Sequence, residues 1–174
     1  MNKKGTMRIL AIDTSASPGF AILDYKPGSI PKLVFADALK TDSKKPDSER
    51  YEAIAAFVTL IVFKYAPFDV VCREHFIKGG SKRSTQLVFG AWSTVDRALG
   101  SFGYHIDAKD EVTPTQVKKA ATGKGKAEKD EVEQGVRARL KLPSDYVFSN
   151  NSGGDASDAA AVGLAWLDEN MTKE

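Results

Sequence analysis

The stretch that most constrains this chain is Met7 to Leu23, MRILAIDTSASPGFAIL, where an apolar run ends in one carboxylate, Asp13, and the chain turns back on itself. Arg8–Ile12 is short, apolar and branched, and is bounded by Thr14, Ser15, Ser17, Pro18 and Gly19. That pattern reads as a buried strand. Phe20–Asp24 returns beside it as a second strand. A carboxylate at the end of a buried central strand is poorly solvated unless it faces a cleft and meets a cation, and a bound metal is one such cation. A turn cap made with the neighbouring hydroxyls is the alternative that this segment leaves open.

Lys32–Lys40 follows a loop with two prolines and a glycine and reads as a third strand, so three strands joined by short connections form an antiparallel meander. Met1 to Thr6 is a lead-in. Asp47 or Ser48 then caps a helix in which Tyr51, Ile54, Ala55, Val58, Ile61, Val62 and Tyr65 recur at helical spacing, ending before Pro67. Phe68–Arg73 resumes β character and runs directly into Glu74. A second apolar strand thus delivers a second acid to its C-terminal end, and two such strands can place both acids in one crevice of a mixed sheet.

After Glu74 the chain reads HFIKGGSKRSTQ, a basic, glycine-containing loop in which Lys78, Lys82 and Arg83 suit contact with phosphates. Thr85–Leu99 is a helix with an apolar stripe of Leu87, Val88, Ala91, Trp92, Val95 and Leu99, and Tyr104–Asp107 is a short fifth strand. From Thr113 to Lys141 the pattern is helical in two pieces, interrupted at residues 122–126 by TGKGK. Exposed amides and the charges of Lys124 and Lys126, near Lys118, Lys119 and Lys129, suit a sugar-phosphate backbone, although the spacing is not that of a P-loop. A flexible basic loop is the plainer reading. NNSGG, residues 150–154, is a flexible approach to an Ala-rich helix, Asp155–Leu167, with good propensity despite Gly163.

Asp155 and Asp158 are three residues apart and share one side of the first turn of that helix. Alone, they need only be anions stabilising a helix N-terminus. With Asp13 and Glu74, they make four acids at two strand ends and a helix start, the arrangement a two-metal site requires. Mg²⁺ takes hard oxygen ligands and keeps several waters, so each ion needs only one or two carboxylates plus a substrate phosphate oxygen. Two ions can then activate a water and stabilise the leaving oxygen of an in-line displacement. His75 and His105 are the only histidines and Cys72 the only cysteine, so no zinc cluster is offered and no internal disulfide can form.

Charge follows the same division. Val117 to Lys141 holds eight basic residues against four acids, and the chain from Leu142 onward holds six acids against one lysine. Such segregation suits a protein that holds an anionic polymer near a cluster of carboxylates, or a solvated surface. With 174 residues and 42% hydrophobic content, the chain is large enough for one domain, residues 1–174, with its own core. No apolar run reaches membrane-span length, and MNKKGT lacks the apolar part of a signal peptide. The expectation is a soluble cytoplasmic protein.

Taken in order, ILAIDTSASPGFAIL, VVCREHF, TPTQVKKAATGKGKAEKDEV, LKLP and GGDASDAAAVGLAW resemble the RuvC family of Holliday-junction resolvases, within the ribonuclease H-like superfamily. The resemblance runs from about Arg8 to Leu167 and is most specific around Gln116–Val132 and in the closing DxxDAxA. It implies an α/β fold with a mixed five-stranded sheet flanked by helices, a homodimer, and Mg²⁺-dependent paired nicking of a four-way DNA junction in a bacterial or phage-infected cell. Two Mg²⁺ ions per site are implied, with Mn²⁺ able to substitute. By match to the motif, Asp13, Glu74, Asp155 and Asp158 are the metal ligands, Asp155 standing where some relatives carry histidine, and Lys118 and Lys129 are basic positions used on DNA.

Two positions depart from the family pattern. Relatives often have an aromatic three residues after the strand-end Glu, where it stacks on a base. Here Ile77 stands there and Phe76 lies one earlier, so the stacking role moves to Phe76 or is absent, and Phe76 could equally be packed inside. Arg73, in an apolar strand, faces outward or neutralises part of the acidic site. Two other functions fit parts of the sequence: a branched-DNA binding module that does not cut, and, because ILAIDTS also resembles their opening, an actin-like ATPase-fold protein. The latter needs a second domain and glycine-rich phosphate loops that the sequence does not show.

Overall fold

The computed structural model describes residues 5–76 and 80–171. Its centre is the strand that ends in Asp13. Strands β1 (Met7–Asp13), β2 (Gly19–Tyr25) and β3 (Lys32–Ala38) form the antiparallel meander, and β4 (Val70–Glu74) joins β1 in parallel on the other side, followed by β5 (Glu111–Val112). The order across the sheet is β3-β2-β1-β4-β5. β1 is apolar on both pleats because both faces of the sheet are covered. Ile9 and Ala11 meet one layer, Leu10 and Ile12 the other, and all four are fully buried. Each isoleucine or leucine so placed contributes roughly 1.5–3 kcal/mol relative to exposure.

One layer is α1 (Asp47–Tyr65) with α2 (Lys82–Gly100), and the other is α3 (Pro114–Thr122), α4 (Lys129–Arg139) and α5 (Asp155–Met171). Helix α5 lies almost wholly inside, and its run of Ala156, Ala159, Ala160, Ala161 and Gly163 keeps it thin enough to lie close on β1 and β2. The closest approach is at Gly19, the register partner of Asp13. A Cβ there would come within 1.9 Å of the Asp155 carbonyl oxygen, so only glycine lets the start of α5 settle beside the end of β1.

Several boundaries differ from the expectation. The fifth strand is Glu111–Val112, whereas Tyr104–Asp107 is irregular and leads into a single 3₁₀ turn at Ala108–Asp110. Tyr104 and Ile106 do alternate inward against the α1–α2 layer, but β4 offers only Arg73 and Glu74 for pairing on that side, and those partners are taken by Glu111 and Val112. Strand β3 ends at Ala38, and Lys40 leaves the sheet to meet Asp155. Neither Asp47 nor Ser48 caps α1, since Pro46 holds the cap position and the Asp47 carboxylate is taken by both terminal nitrogens of Arg83 at 2.6 Å. Helix α2 starts early, capped by Ser81, which places Lys82 and Arg83 in its first turn rather than in a loop.

The TGKGK break is a helix stop: Gly123 adopts the left-handed conformation (φ 77°) that closes α3, and its N–H donates to the Lys119 carbonyl. A capping box of Thr113 and Gln116 opens α3, and another of Glu128 and Glu131 opens α4. NNSGG is a built turn and not a loose approach. The Asn151 side chain accepts from the Ser157 N–H at 3.0 Å and donates to Glu133 at 2.8 Å, while the Gly154 N–H donates to the Asn151 carbonyl at 2.9 Å. Among the described residues, no helix is long and apolar enough to cross a membrane.

Candidate active site

Asp13 leaves the end of β1, Glu74 the end of the parallel neighbour β4, and Asp155 and Asp158 the first turn of α5. All four line one cleft of about 400 Å³, together with Thr14, Ser15, Phe76, Lys118 and Lys129. The strand order makes this unavoidable: β1 and β4 are adjacent and parallel, so their C-terminal carboxylates emerge side by side, and Gly19 admits the start of α5 to the same edge.

Electrostatics in the cleft is dominated by burial and by the acids themselves. Burial, then the charges of Glu74, Asp158 and Asp155, push the Asp13 carboxyl well above the usual carboxylate range, and Lys129 pulls it back. Glu74 is pushed up to about 7 by burial and by Asp158, against the lowering effect of a hydrogen bond with Asp13 and of Lys118 and Lys129. Asp158 is pushed up to about 6, burial again being the main cause, opposed by Lys129. Acids crowded in a buried cleft ionise together only at a cost, and a cation between them would offset it.

Two lysines partly offset this charge. Lys129, the first residue of α4, donates to the Gly153 carbonyl at 2.5 Å and stands 3.8 Å from Asp158. Lys40 places its ammonium 2.6 Å from Asp155 Oδ2. Among the described residues, no three His, Cys, Asp or Glu side chains stand together as a ready ion-holding group. The donor set nevertheless fits a hard divalent cation in kind. It is all oxygen, burial and mutual repulsion oppose the ionisation of Asp13, Glu74 and Asp158, and the buried Thr14 hydroxyl beside it has no hydrogen-bond partner.

The residues expected to meet DNA separate into groups. Lys118 and Lys129 line the cleft. Lys82, Lys119 and Lys126 are exposed, and Lys124 is exposed with its ammonium 3.7 Å from Glu131. Arg83 is bound to Asp47, and Lys78 lies outside the described residues, as does Ile77. Phe76 is half-buried at the cleft, its ring 5.2 Å from that of Phe89 and 6.3 Å from that of Trp92, and Phe89 is 50% exposed. Phe76 at the end of β4 therefore packs into an aromatic cluster with Phe89 and Trp92 of α2.

Arg73 neither faces outward nor enters the acidic cluster. It is buried, its guanidinium lies 3.8 Å from the centre of the Trp92 ring, and it donates to Glu111 at 2.7 and 2.9 Å and to Asp96 at 2.8 Å. His75 joins the same group through Glu111 Oε2 at 2.7 Å. Burial works against ionisation of Glu111, but the bonds from His75 and Arg73 outweigh it and hold that carboxyl below its ordinary value. The network ties β4 to a β5 only two residues long, one residue before Glu74. Sequence reasoning missed Lys40, Thr14 and the Arg73 network. The only available signal for the last was a charged residue in an apolar strand.

A mixed five-stranded sheet with helices on both faces and acids at the ends of its two central parallel strands is a ribonuclease H-like α/β fold. The family described as "Crossover junction endodeoxyribonuclease RuvC" matches residues 9–166, and the chain belongs to that family. It is 32% identical over 159 residues to the crossover junction endodeoxyribonuclease RuvC of Synechococcus sp., covering 91% of this chain and 96% of that one. To the RuvC of Citrifermentans bemidjiense it is 33% identical over 161 residues, covering 91% and 90%. Among solved structures, Thermus thermophilus RuvC in complex with Holliday junction substrate superposes with a TM-score of 0.76 at 26% identity over 91% of this chain and 92% of that one. The yeast mitochondrial Holliday junction resolvase Ydc2 shares the fold, with a TM-score of 0.61 at 13% identity over 92% of this chain and 78% of that one.

Proposed function

We propose that this chain is one nuclease domain that resolves four-way DNA junctions by metal-dependent paired nicking, working as a homodimer in the cytoplasm of a bacterial or phage-infected cell. The observation that carries the reading is the meeting of Asp13, Glu74, Asp155 and Asp158 in one cleft beside Lys118 and Lys129. The four carboxylates are the groups to hold divalent metal, two Mg²⁺ per site with Mn²⁺ as a substitute. The metal supplies Lewis-acid stabilisation of the phosphate and an activated water.

The chain's own residues do the rest. Lys118 and Lys129 flank the acids on one side of the cleft and draw the scissile phosphate against them. The buried walls of Val117 and Val132 keep Asp13, Glu74 and Asp158 poorly hydrated, which favours their ionisation when a cation is present. Phe76, which lines the cleft, and the half-exposed Phe89 beside it offer aromatic surface for an unstacked base. Two copies are needed because the junction has two strands to cut and each chain carries one cleft. Membership of the RuvC family and the fold shared with a junction-bound RuvC support this reading.

Cleavage of an end-labelled four-way junction beside linear, flap and Y-shaped DNA, with Mg²⁺, Mn²⁺ or EDTA, tests it. Metal-dependent symmetric nicks confined to the junction, absent in Asp13→Asn while junction binding persists, are expected. Tight binding without cutting under either metal would replace the nuclease reading with a branched-DNA binding module.

A further inference from the structure

The Lys40–Asp155 pair has no part in the scheme above, yet the fold is shaped around it. Lys40 follows β3, two strands away from Asp13, and reaches the acidic cluster because α5 begins over Gly19. The ammonium and carboxylate are 2.6 Å apart, with the Asp155 side chain only 14% exposed and that of Lys40 40% exposed. The turn before α5 leaves room for them: a Cβ on Gly153 would stand 3.0 Å from Asp155 Oδ2 and 3.4 Å from Lys40 Nζ. Lys129 and Asp158 meet across Gly154 in the same way, where a Cβ would lie 3.4 Å from Asp158 Oδ2 and 3.5 Å from the Lys129 side chain. The difference between the two lysines is their side of approach. Lys129 lines the cleft, whereas Lys40 lines a separate depression with Thr41, Asp42, Lys45 and Arg50 and touches Asp155 from outside.

We propose that Lys40 is a built-in counter-cation that weakens divalent-metal binding at Asp155, so that metal is held firmly only when a substrate phosphate adds its negative charge. This rests on the reading of the four acids as metal ligands. Lys40 enters from outside the cleft, so DNA seated in the cleft does not have to displace it. A positive charge 2.6 Å from one ligand oxygen opposes a second cation on the same carboxylate, and it lowers the mutual repulsion of the acids while no metal is present. Mg²⁺ sites of this kind are completed by substrate phosphate oxygens. A cleft that binds metal weakly by itself therefore assembles its catalytic charge on the substrate and keeps bound metal low without it.

The test is a titration of the full-length protein with Mn²⁺ and no DNA, reading free Mn²⁺ by electron paramagnetic resonance, for wild type, Lys40→Met, Lys40→Arg and Asp13→Asn. Each variant is first checked for wild-type circular dichroism. Lys40→Met should bind Mn²⁺ about fivefold more tightly than wild type, the size expected for an ion pair with one partner still in water. Lys40→Arg, which keeps the charge, should stay within about twofold of wild type. Equal or weaker Mn²⁺ binding by Lys40→Met, with binding still lost in Asp13→Asn, overturns the role of Lys40 and leaves the metal site standing. Mn²⁺ binding that Asp13→Asn does not change overturns the metal-site reading and this inference with it.

Discussion

The clearest quantitative consequence of the acidic cleft is that the metal-free protein should lose stability as pH rises from 5 to 8. Glu74 moves from an ordinary 4.5 to about 7, and Asp158 from 3.8 to about 6. In this window the folded protein holds protons that the unfolded chain has released. The unfolded state therefore binds fewer protons, and stability falls as pH increases. The contribution is complete below about pH 4 and gone above about pH 7. Each unit is worth about 1.4 kcal/mol, so between pH 5 and 8 Glu74 accounts for roughly two units and Asp158 for roughly one, about 4 kcal/mol together. The charge of Asp158 is itself part of the Glu74 shift, so the two do not add fully and the joint loss is about 3 kcal/mol. Asp13 is displaced in the same direction and extends the fall. Urea unfolding in EDTA at pH 5, 6.5 and 8 measures this directly. Glu74→Gln should remove more than half of the slope, and millimolar Mg²⁺ should flatten or invert it, because metal binds the deprotonated cluster. A metal-free stability that is level or rising from pH 5 to 8, or a slope unchanged by Glu74→Gln, would refute the claim that these acids repel one another in a shared buried site.

Three further outcomes follow from the geometry. Arg73→Met leaves the largely buried Glu111 with only His75 and removes the tie between β4 and β5, and it should cost about 3 kcal/mol in urea unfolding. A cost under about 1 kcal/mol would show that the network is dispensable. Gly19→Ala drives a Cβ into the backbone at Asp155, so it should destabilise the fold by about 2–3 kcal/mol and abolish junction cleavage, whereas Gly100→Ala, with open space around it, should change neither. Lys118→Ala combined with Lys129→Ala should weaken junction binding and reduce the slope of log affinity against log salt by about 1.8. An unchanged slope would mean that these lysines do not meet phosphate.

Where the chain announced itself in sequence, it did so through signals confined to a few adjacent residues. The apolar run that stops at Asp13, the second that stops at Glu74, and the three-residue spacing of Asp155 and Asp158 each specify an element and the end at which its acid emerges. Parallel pairing of β1 with β4 then brings those ends together. The fifth strand had no such signal. It is two residues long, and its place depends on Arg73 reaching Glu111, 38 residues later. Tyr104 and Ile106 turn inward, but against α1 and α2 and without joining a ladder. Lys40 was legible only as the end of a strand. Its partner is 115 residues away and within reach only because Gly19 and Gly153 lack side chains. What local pattern conveys is therefore which acids share an edge of the sheet. Which cation neutralises each of them is a property of how the layers close. Two chains with the same four acids can differ in which of them a lysine from the far side of the meander reaches.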